Sequence, residues 1–427
     1  MKFLFIISYL FLFISSSILR NTEKLEGVIS LEFCVVTQDE LLISPIEIGT
    51  PFQPMNLVLD IGAERTWISE EIFNKTKSSS YKTQGFMEQK QQDKFSYRGA
   101  WSTELIQLND KKLKDFDFLL VNKIESNDLF QGVLSLGREY DTKKFSIVYR
   151  MSAASATFYN SFVLKFIDNN KGELYIGDLT KELKDDKSLI SSCKLTNSKI
   201  KWSCMLTHVF VGDYGDQKYV DKYTEEQGYV IKGKHNKIEI IDQPVYFESI
   251  YNKIYVPKEF ISYLQKNIFI NNSNKNELCK CNNNDTKISF TCSKEEMNQI
   301  NKLNFVFSDK MALTLPNSRL FDCNGDVCEY IIEYNEKYTN GWIMGLPLLR
   351  TYQMIFDYNK EDLLFYSNEN KAFVQMPSRN ENYVLWFFFY LILFFVVAFV
   401  FGVGLIYFLR RKNKKRKYIE EQIYENF

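Results

Sequence analysis

Along the chain, short apolar runs alternate with polar connectors rich in Asn, Lys and Asp. Runs such as LLISPIEIG (41–49), MNLVLDIG (55–62), FDFLLVNK (116–123), QGVLSLG (131–137) and GELYIGD (172–178) are rich in aliphatic, β-branched and aromatic residues, and most end at Gly, Asp or Asn. The same pattern continues in CMLTHVFVGD (204–213), PVYFESIYNKIYVP (244–257), LNFVFSDKMALTLP (303–316), GWIMGLPLL (341–349) and YQMIFDYNKEDLLFYS (352–367). It predicts an all-β chain of hairpins. Two stretches read as helix. PKEFISYLQKNIF (257–269) starts on Pro and places apolar residues three and four apart, and KEEMNQINKL (294–303) is a second candidate. NNSNKNELCKCNNNDTK (271–287) is polar and low in complexity, and reads as a loop or insertion.

The two ends break this pattern. MKFLFIISYLFLFISSS (1–17) has one Lys, an apolar run and then small residues, which predicts a signal peptide over 1–18. Residues 384–409 carry no charge, a stretch long enough to span a bilayer. RRKNKKRK (410–417) follows at once and belongs on the cytosolic side by the positive-inside rule. The expected layout is therefore signal peptide 1–18, a short N-terminal or pro segment 19–42, an N-terminal β lobe 43–200 and a C-terminal β lobe 201–370. A juxtamembrane linker 371–383, a transmembrane helix 384–409 and a basic cytosolic tail 410–427 complete it. This is a single-pass type I protein of the secretory pathway or cell surface, with its bulk lumenal or extracellular. YENF (424–427) resembles a Tyr-based sorting signal, but an unstructured tail accounts for it equally well.

Composition narrows the function classes. The 427 residues leave room for two cores. Aromatic content of 16% favours β structure. Net charge is zero overall, yet the tail 410–427 holds seven Lys/Arg against three Glu. No broad basic face or basic–aromatic interleaving points to nucleic acid. All eight Cys lie between Cys34 and Cys328, on the non-cytosolic side, which suggests disulfides. The short-range pairings are Cys193 with Cys204, Cys323 with Cys328, and Cys292 with either Cys279 or Cys281. With no CxxC pair and only His208 and His235, no metal site or other cofactor is expected. Asn74, Asn271 and Asn284 head glycosylation sequons.

The chain carries a coarse internal echo. A strand, an acid, a small residue, a turn and an aromatic follow one another near residue 60, and a related order appears near 248. Each is followed downstream by a hydrophobic–hydrophobic–small motif, VLS at 133–135 and IMG at 343–345. Two related lobes would explain this.

IEIGTPFQPMNLVLDIGAERTWIS (46–69) resembles the first active-site segment of the pepsin-like aspartic proteases, with Gly49, Thr50, Pro51, Gln53, Asp60, Gly62 and Trp67 in order. SYRGAW (96–101) resembles the flap, whose Tyr is then Tyr97. QGVLSLGR, GELYIGD and WIMGLPLLRTYQMIFDYNKEDLLFYS resemble later motifs of that family, so the likeness covers about 43–368 with gaps. It implies an all-β, bilobal pepsin-like acid protease fold with few short helices, plus one C-terminal transmembrane helix. It also implies a peptide or protein bound in the interlobe cleft of a monomeric ectodomain. Membrane-anchored members share the signal–protease–anchor layout.

The chemistry so implied needs two facing carboxylates that share one proton. Aligning VYFESIYNKIYVP on the second motif puts Glu248 at the second acid, Ser249 at the hydroxyl position and Ile250 at the Gly. A rival register uses Asp242, but it needs six extra residues before Pro257 and lacks the Gly. Three departures follow. Ile61 replaces a Thr whose hydroxyl braces the two loops, Glu248 reaches one methylene further than Asp, and Ile250 adds bulk beside the site. Ser135 also replaces a Gly that supports the first loop. The interval before LLISPIEIG is short for an inhibitory propeptide. The expected activity is aspartic-type endopeptidase, reduced or lost. The alternative is a pseudo-protease that binds peptides or proteins as a receptor, adhesin or chaperone.

Overall fold

The computed structural model describes residues 28–36, 41–92, 95–124, 132–138, 146–157, 159–177, 189–196, 201–212, 223–224, 228–229, 238–269, 278–284, 286–307, 311–338, 341–359, 362–367, 373–375 and 411. Up to Lys194 they form β1 (Val28–Val36), β2 (Leu41–Ile48), β3 (Gln53–Asp60), β4 (Trp67–Ser69), β5 (Lys82–Gln92), β6 (Phe95–Leu108), β7 (Lys111–Ile124), β8 (Gly132–Ser135), helix α1 (Ile147–Ala153), β9 (Ser161–Phe166), β10 (Lys171–Gly177) and β11 (Leu189–Lys194). There follow β12 (Ser203–Val211), the small pair β13 (Tyr223–Thr224) and β14 (Gly228–Tyr229), β15 (Ile238–Phe247), β16 (Ile254–Tyr255), α2 (Lys258–Asn267), β17 (Lys280–Asn283), β18 (Lys287–Ser293) and α3 (Lys294–Met297). The last elements are β19 (Leu303–Phe307), β20 (Met311–Leu315), β21 (Phe321–Asn324), β22 (Val327–Tyr330), β23 (Ile332–Asn335), β24 (Trp342–Met344), α4 (Leu346–Thr351), β25 (Tyr352–Asp357), β26 (Asp362–Ser367) and β27 (Phe373–Gln375). The chain is mostly strand with few short helices.

The strands sort into two large sheets. A 13-stranded sheet takes β1 to β11 together with β25 and β26, and a 12-stranded sheet takes β12, β15 to β24 and β27. The switch between sheets falls between Lys194 and Ser203. β25 and β26 come from the C-terminal part of the chain yet return to the first sheet, where Phe356 pairs with Phe162 and Leu363 with Cys193. Their rings close over this junction: Phe162 and Phe356 stack at 4.6 Å.

Each sheet contains the same local device. In the first, β8 lies between β3, to which it is parallel, and β4, to which it is antiparallel. In the second, β24 lies in the same way between β15 and β16. Parallel neighbours then extend each set, β7 beside β4 and β23 beside β16. These central strands are buried on both faces, so they read as continuous apolar runs rather than alternating ones. Leu57, Val58, Leu59, Val133 and Leu134 all have zero exposure.

Several sequence expectations change. Val28–Val36 was placed in a segment ahead of the first lobe, but it is a strand paired with β10 and β2. Its Ile29, Leu31, Phe33 and Val35 alternate into the core while Ser30 and Glu32 face out. The expected linker 371–383 contains β27, which pairs with β20. The low-complexity stretch contains β17, antiparallel to β18. The helix expected after Pro257 is α2, and the second candidate is one turn closed by a capping box between Ser293 and Glu296.

Three disulfides join Cys193 to Cys204, Cys279 to Cys292 and Cys323 to Cys328. Cys279 rather than Cys281 is thus the partner of Cys292, because Cys281 stands opposite Phe290 in β17. Cys34 and Cys281 take no part in these bonds. Burial raises the Cys34 thiol above its ordinary range.

Asn74 and Asn284 are exposed. Asn271, His235, the expected signal peptide, the expected span 384–409 and nearly all of the separate unit 376–427 lie outside the described residues. Among the described residues no helix is long and apolar enough to cross a membrane.

If β1 is part of the core, Phe33→Ala should cost about 3–4 kcal/mol, whereas Glu32→Ala on its exposed face should cost less than about 0.5 kcal/mol. Thermal melts of the two variants check this, and equal melting points would remove β1 from the core.

Candidate active site

β3 delivers Asp60 to the point where the first sheet ends. Its backbone carbonyl accepts from Leu136 N–H at 2.8 Å, which fixes it beside β8. The chain then turns: Gly62 N–H donates to Asp60 Oδ1 at 2.7 Å, so the carboxylate caps its own turn. Asp60 is 1% exposed. Ser135, opposite Asp60 in β8, braces the same turn by donating its hydroxyl to Ala63 C=O at 2.5 Å and its N–H to Thr66 Oγ1 at 3.1 Å. The Ser found where a Gly was expected is therefore a strut of the first loop.

The second loop is built on the matching device. Phe247 pairs with Met344 as Leu59 pairs with Leu134, so Glu248 follows its strand as Asp60 ends its own. Trp67 stands opposite Val133 and Tyr255 opposite Ile343, seven residues beyond each acid. The two loops therefore superpose in register without a gap. Asp242, the rival acid, lies inside β15 at an irregularity of its pairing with β12; it has φ +45° and is exposed. It faces His208, whose imidazole is pushed below its usual range by burial and only partly raised by Asp242.

One hydroxyl ties the loops together. Ser249 Oγ accepts from Ile61 N–H at 3.0 Å and donates to Leu59 C=O at 2.8 Å. Ile61, at the two-fold related position, has no hydroxyl; its side chain is fully buried in the main apolar core. Ile250 was expected to clash beside the site. Instead it is fully buried in an apolar cluster with Val58, Ala63, Trp67, Leu119, Val121, Val133, Tyr251 and Tyr255, drawn from both sheets.

Glu248 has zero exposure, and its N–H donates to Met344 C=O at 3.1 Å. Its carboxylate crosses to the first loop: a Cβ added to Gly62 would lie 2.0 Å from Oε2. Only a Gly leaves room for the longer acid there. The other oxygen, Oε1, accepts from Lys201 Nζ at 2.6 Å. Sequence reasoning missed Lys201. It stands in KIKWSC (199–204), 47 residues before its partner, with nothing local to set it apart from Lys199.

Trp202 fixes where that lysine stands. Its carbonyl accepts from Phe247 N–H at 3.0 Å, and its indole N–H donates to Leu136 C=O at 3.1 Å. Both neighbours adjoin an acid-bearing strand. Trp202 is fully buried, with its ring edge-on to Phe356 and Tyr358.

β5 and β6 pair antiparallel as the two arms of a hairpin, and residues 93–94 between them lie outside the described residues. Tyr97 lies on the returning strand, paired with Lys90 and Ile124, and its side chain is outside the described residues. Trp67 is 1% exposed. At the base of this hairpin is a cavity of about 280 Å³ lined by residues that include Glu70, Lys75, Tyr81 and Met87; neither acid lines it. Among the described residues no group of three His, Cys, Asp or Glu is placed to hold a metal ion.

A family model for eukaryotic aspartyl protease matches residues 42–366, more than half of the chain. The chain belongs to the eukaryotic aspartyl protease family. No curated protein matches it. As a pepsin-like aspartyl protease domain, it has a cleft of the kind that binds a peptide substrate.

Ser249→Ala removes both bonds of the bridging hydroxyl and leaves a buried N–H and a buried C=O to find other partners. The expected loss is about 2–4 kcal/mol, read as a lowered melting temperature. A loss below about 0.5 kcal/mol would mean that the bridge does not hold the loops.

Proposed function

We propose that this protein is a membrane-anchored aspartic-type endopeptidase of the secretory pathway or cell surface, acting slowly on peptides held between its lobes. Asp60 and Glu248 are the two acids. In the family's chemistry one ionised carboxylate takes a proton from a water while the other, protonated, donates to the substrate carbonyl. What supports this assignment above all is the bridge from Ser249 to Leu59 and Ile61, which brings the two acid loops into one buried unit. The slow rate follows from Glu248, whose extra methylene displaces its carboxylate by about 1 Å, a shift that costs on the order of a hundredfold. Loss of the second bracing hydroxyl at Ile61 acts in the same direction. The lumenal setting rests on the charge-free stretch 384–409 and the basic run after it.

A second reading, peptide binding without hydrolysis, is favoured by one observation: Glu248 Oε1 is already engaged by Lys201. The protein would then act as a receptor, adhesin or chaperone on the same membrane.

Incubating the purified full chain with a diverse peptide library from acid to neutral pH separates the two. Slow cleavage that disappears in Asp60→Asn is expected, with at least about tenfold faster cleavage in the double variant Ile61→Thr/Glu248→Asp. Peptide binding with no cleavage by either protein would select the second reading.

A further inference from the structure

Lys201 brings a positive charge into the seam between the acid loops. Its Nζ lies 2.6 Å from Glu248 Oε1, and its side chain is 30% exposed against 0% for Glu248. A buried carboxylate at that distance from an ammonium makes a short, charge-assisted hydrogen bond, and separating the two would strand a charge in a dry interior. The lysine is not there by chance of side-chain reach. Trp202 locks the backbone next to it through bonds to Phe247 and Leu136, and the Tyr246 ring lies 5.7 Å from the ammonium on the side of β15. The second oxygen of the same carboxylate is turned against Gly62, on the turn that Asp60 caps.

Charge counting gives this arrangement its meaning. Two facing acids reach a single negative charge by holding one proton between them. Asp60, Glu248 and Lys201 reach the same charge with no proton at all. We propose that Lys201 is a positioning residue that takes the place of the shared proton, holding Glu248 as a carboxylate and suppressing its use as a proton donor. This rests on the second reading above, in which the cleft holds a peptide without hydrolysing it. A bound peptide amide still lies along the cleft, but a hydroxyl placed between the acids meets two acceptors instead of one acceptor and one donor. The site therefore gains little from groups that imitate the attacked carbonyl.

The test uses the purified full chain and two probes, a statine-containing hydrophobic pentapeptide and the same peptide without the statine hydroxyl. Dissociation constants are measured for each by calorimetry. In the wild type the hydroxyl should change affinity by less than about threefold, or about 0.7 kcal/mol. Lys201→Met should raise the preference for the hydroxyl peptide at least about tenfold, and Lys201→Arg, which keeps the charge, should hold it at the wild-type value. Lys201→Met/Glu248→Gln removes both charges of the ion pair and should show the same gain even where the single variant folds poorly. An unchanged preference in that double variant, with both peptides still bound, overturns the role of Lys201. Failure of the wild type and every variant to bind either peptide overturns the cleft reading and this proposal with it.

Discussion

The Ser249 hydroxyl is the contact on which the rest of this site depends. It accepts from Ile61 N–H and donates to Leu59 C=O, two backbone groups on either side of Asp60. A single rotor held from both sides leaves neither loop free to slide along the other. Buried backbone groups must find partners, and at this seam the partner comes from a residue 188 positions away. The device is half of a symmetric pair. The two sheets repeat the same strand order around β8 and β24, so the seam could carry a hydroxyl on each side; Ile61 leaves it with one. That single bridge concentrates the cost of misalignment on one side chain.

Around this bridge, charge is handled by geometry rather than by solvent. Asp60 and Glu248 are both almost wholly removed from water. Asp60 is offset by the N–H of Gly62 in its own turn, Glu248 by an ammonium from outside the turn. These solutions differ in what they leave available. A backbone N–H cannot give up its proton, and it keeps its carboxylate ready to accept one. An ammonium at 2.6 Å satisfies a carboxylate completely on one side. The lobes thus match in topology and differ in electrostatics, and the asymmetry originates in Lys201, held in place by Trp202.

Much of this was legible in the sequence because the fold imposes local patterns. Strand-length apolar runs marked the central strands, and the ungapped fit of VYFESIYNKIYVP on the second motif carried the register of the second loop. The pairing of Cys193 with Cys204 was readable from proximity alone. What escaped was non-local or masked by context. β1 has a period-two alternation that any strand search would accept, yet the family's motifs begin after it, so it was read as a segment ahead of the lobe. The contact of Lys201 with Glu248 spans 47 residues and the four strands β12 to β15, and no spacing rule announces it. The expected clash at Ile250 failed for a related reason: the volume of its surroundings is set by Ala63 and by strands of the opposite sheet.

The substitutions in the two loops make more sense as one packing solution than as separate lesions. Glu248 is longer than Asp, and the space for its carboxylate is supplied across the seam by Gly62. Ile250 is larger than Gly, and it fills an apolar cluster that includes Ala63 and Trp67 from the first lobe. Ser135 brings a hydroxyl into a position where the Ala63 carbonyl is there to accept from it. Dense interiors tolerate changes of volume only when a neighbour gives way, and here the opposite loop or strand is the neighbour each time. A loop decaying without constraint would leave cavities and stranded polar groups at these points. This seam is filled and bridged, which is the condition a cleft must meet to present a defined surface to a peptide, whatever the rate at which it cuts one.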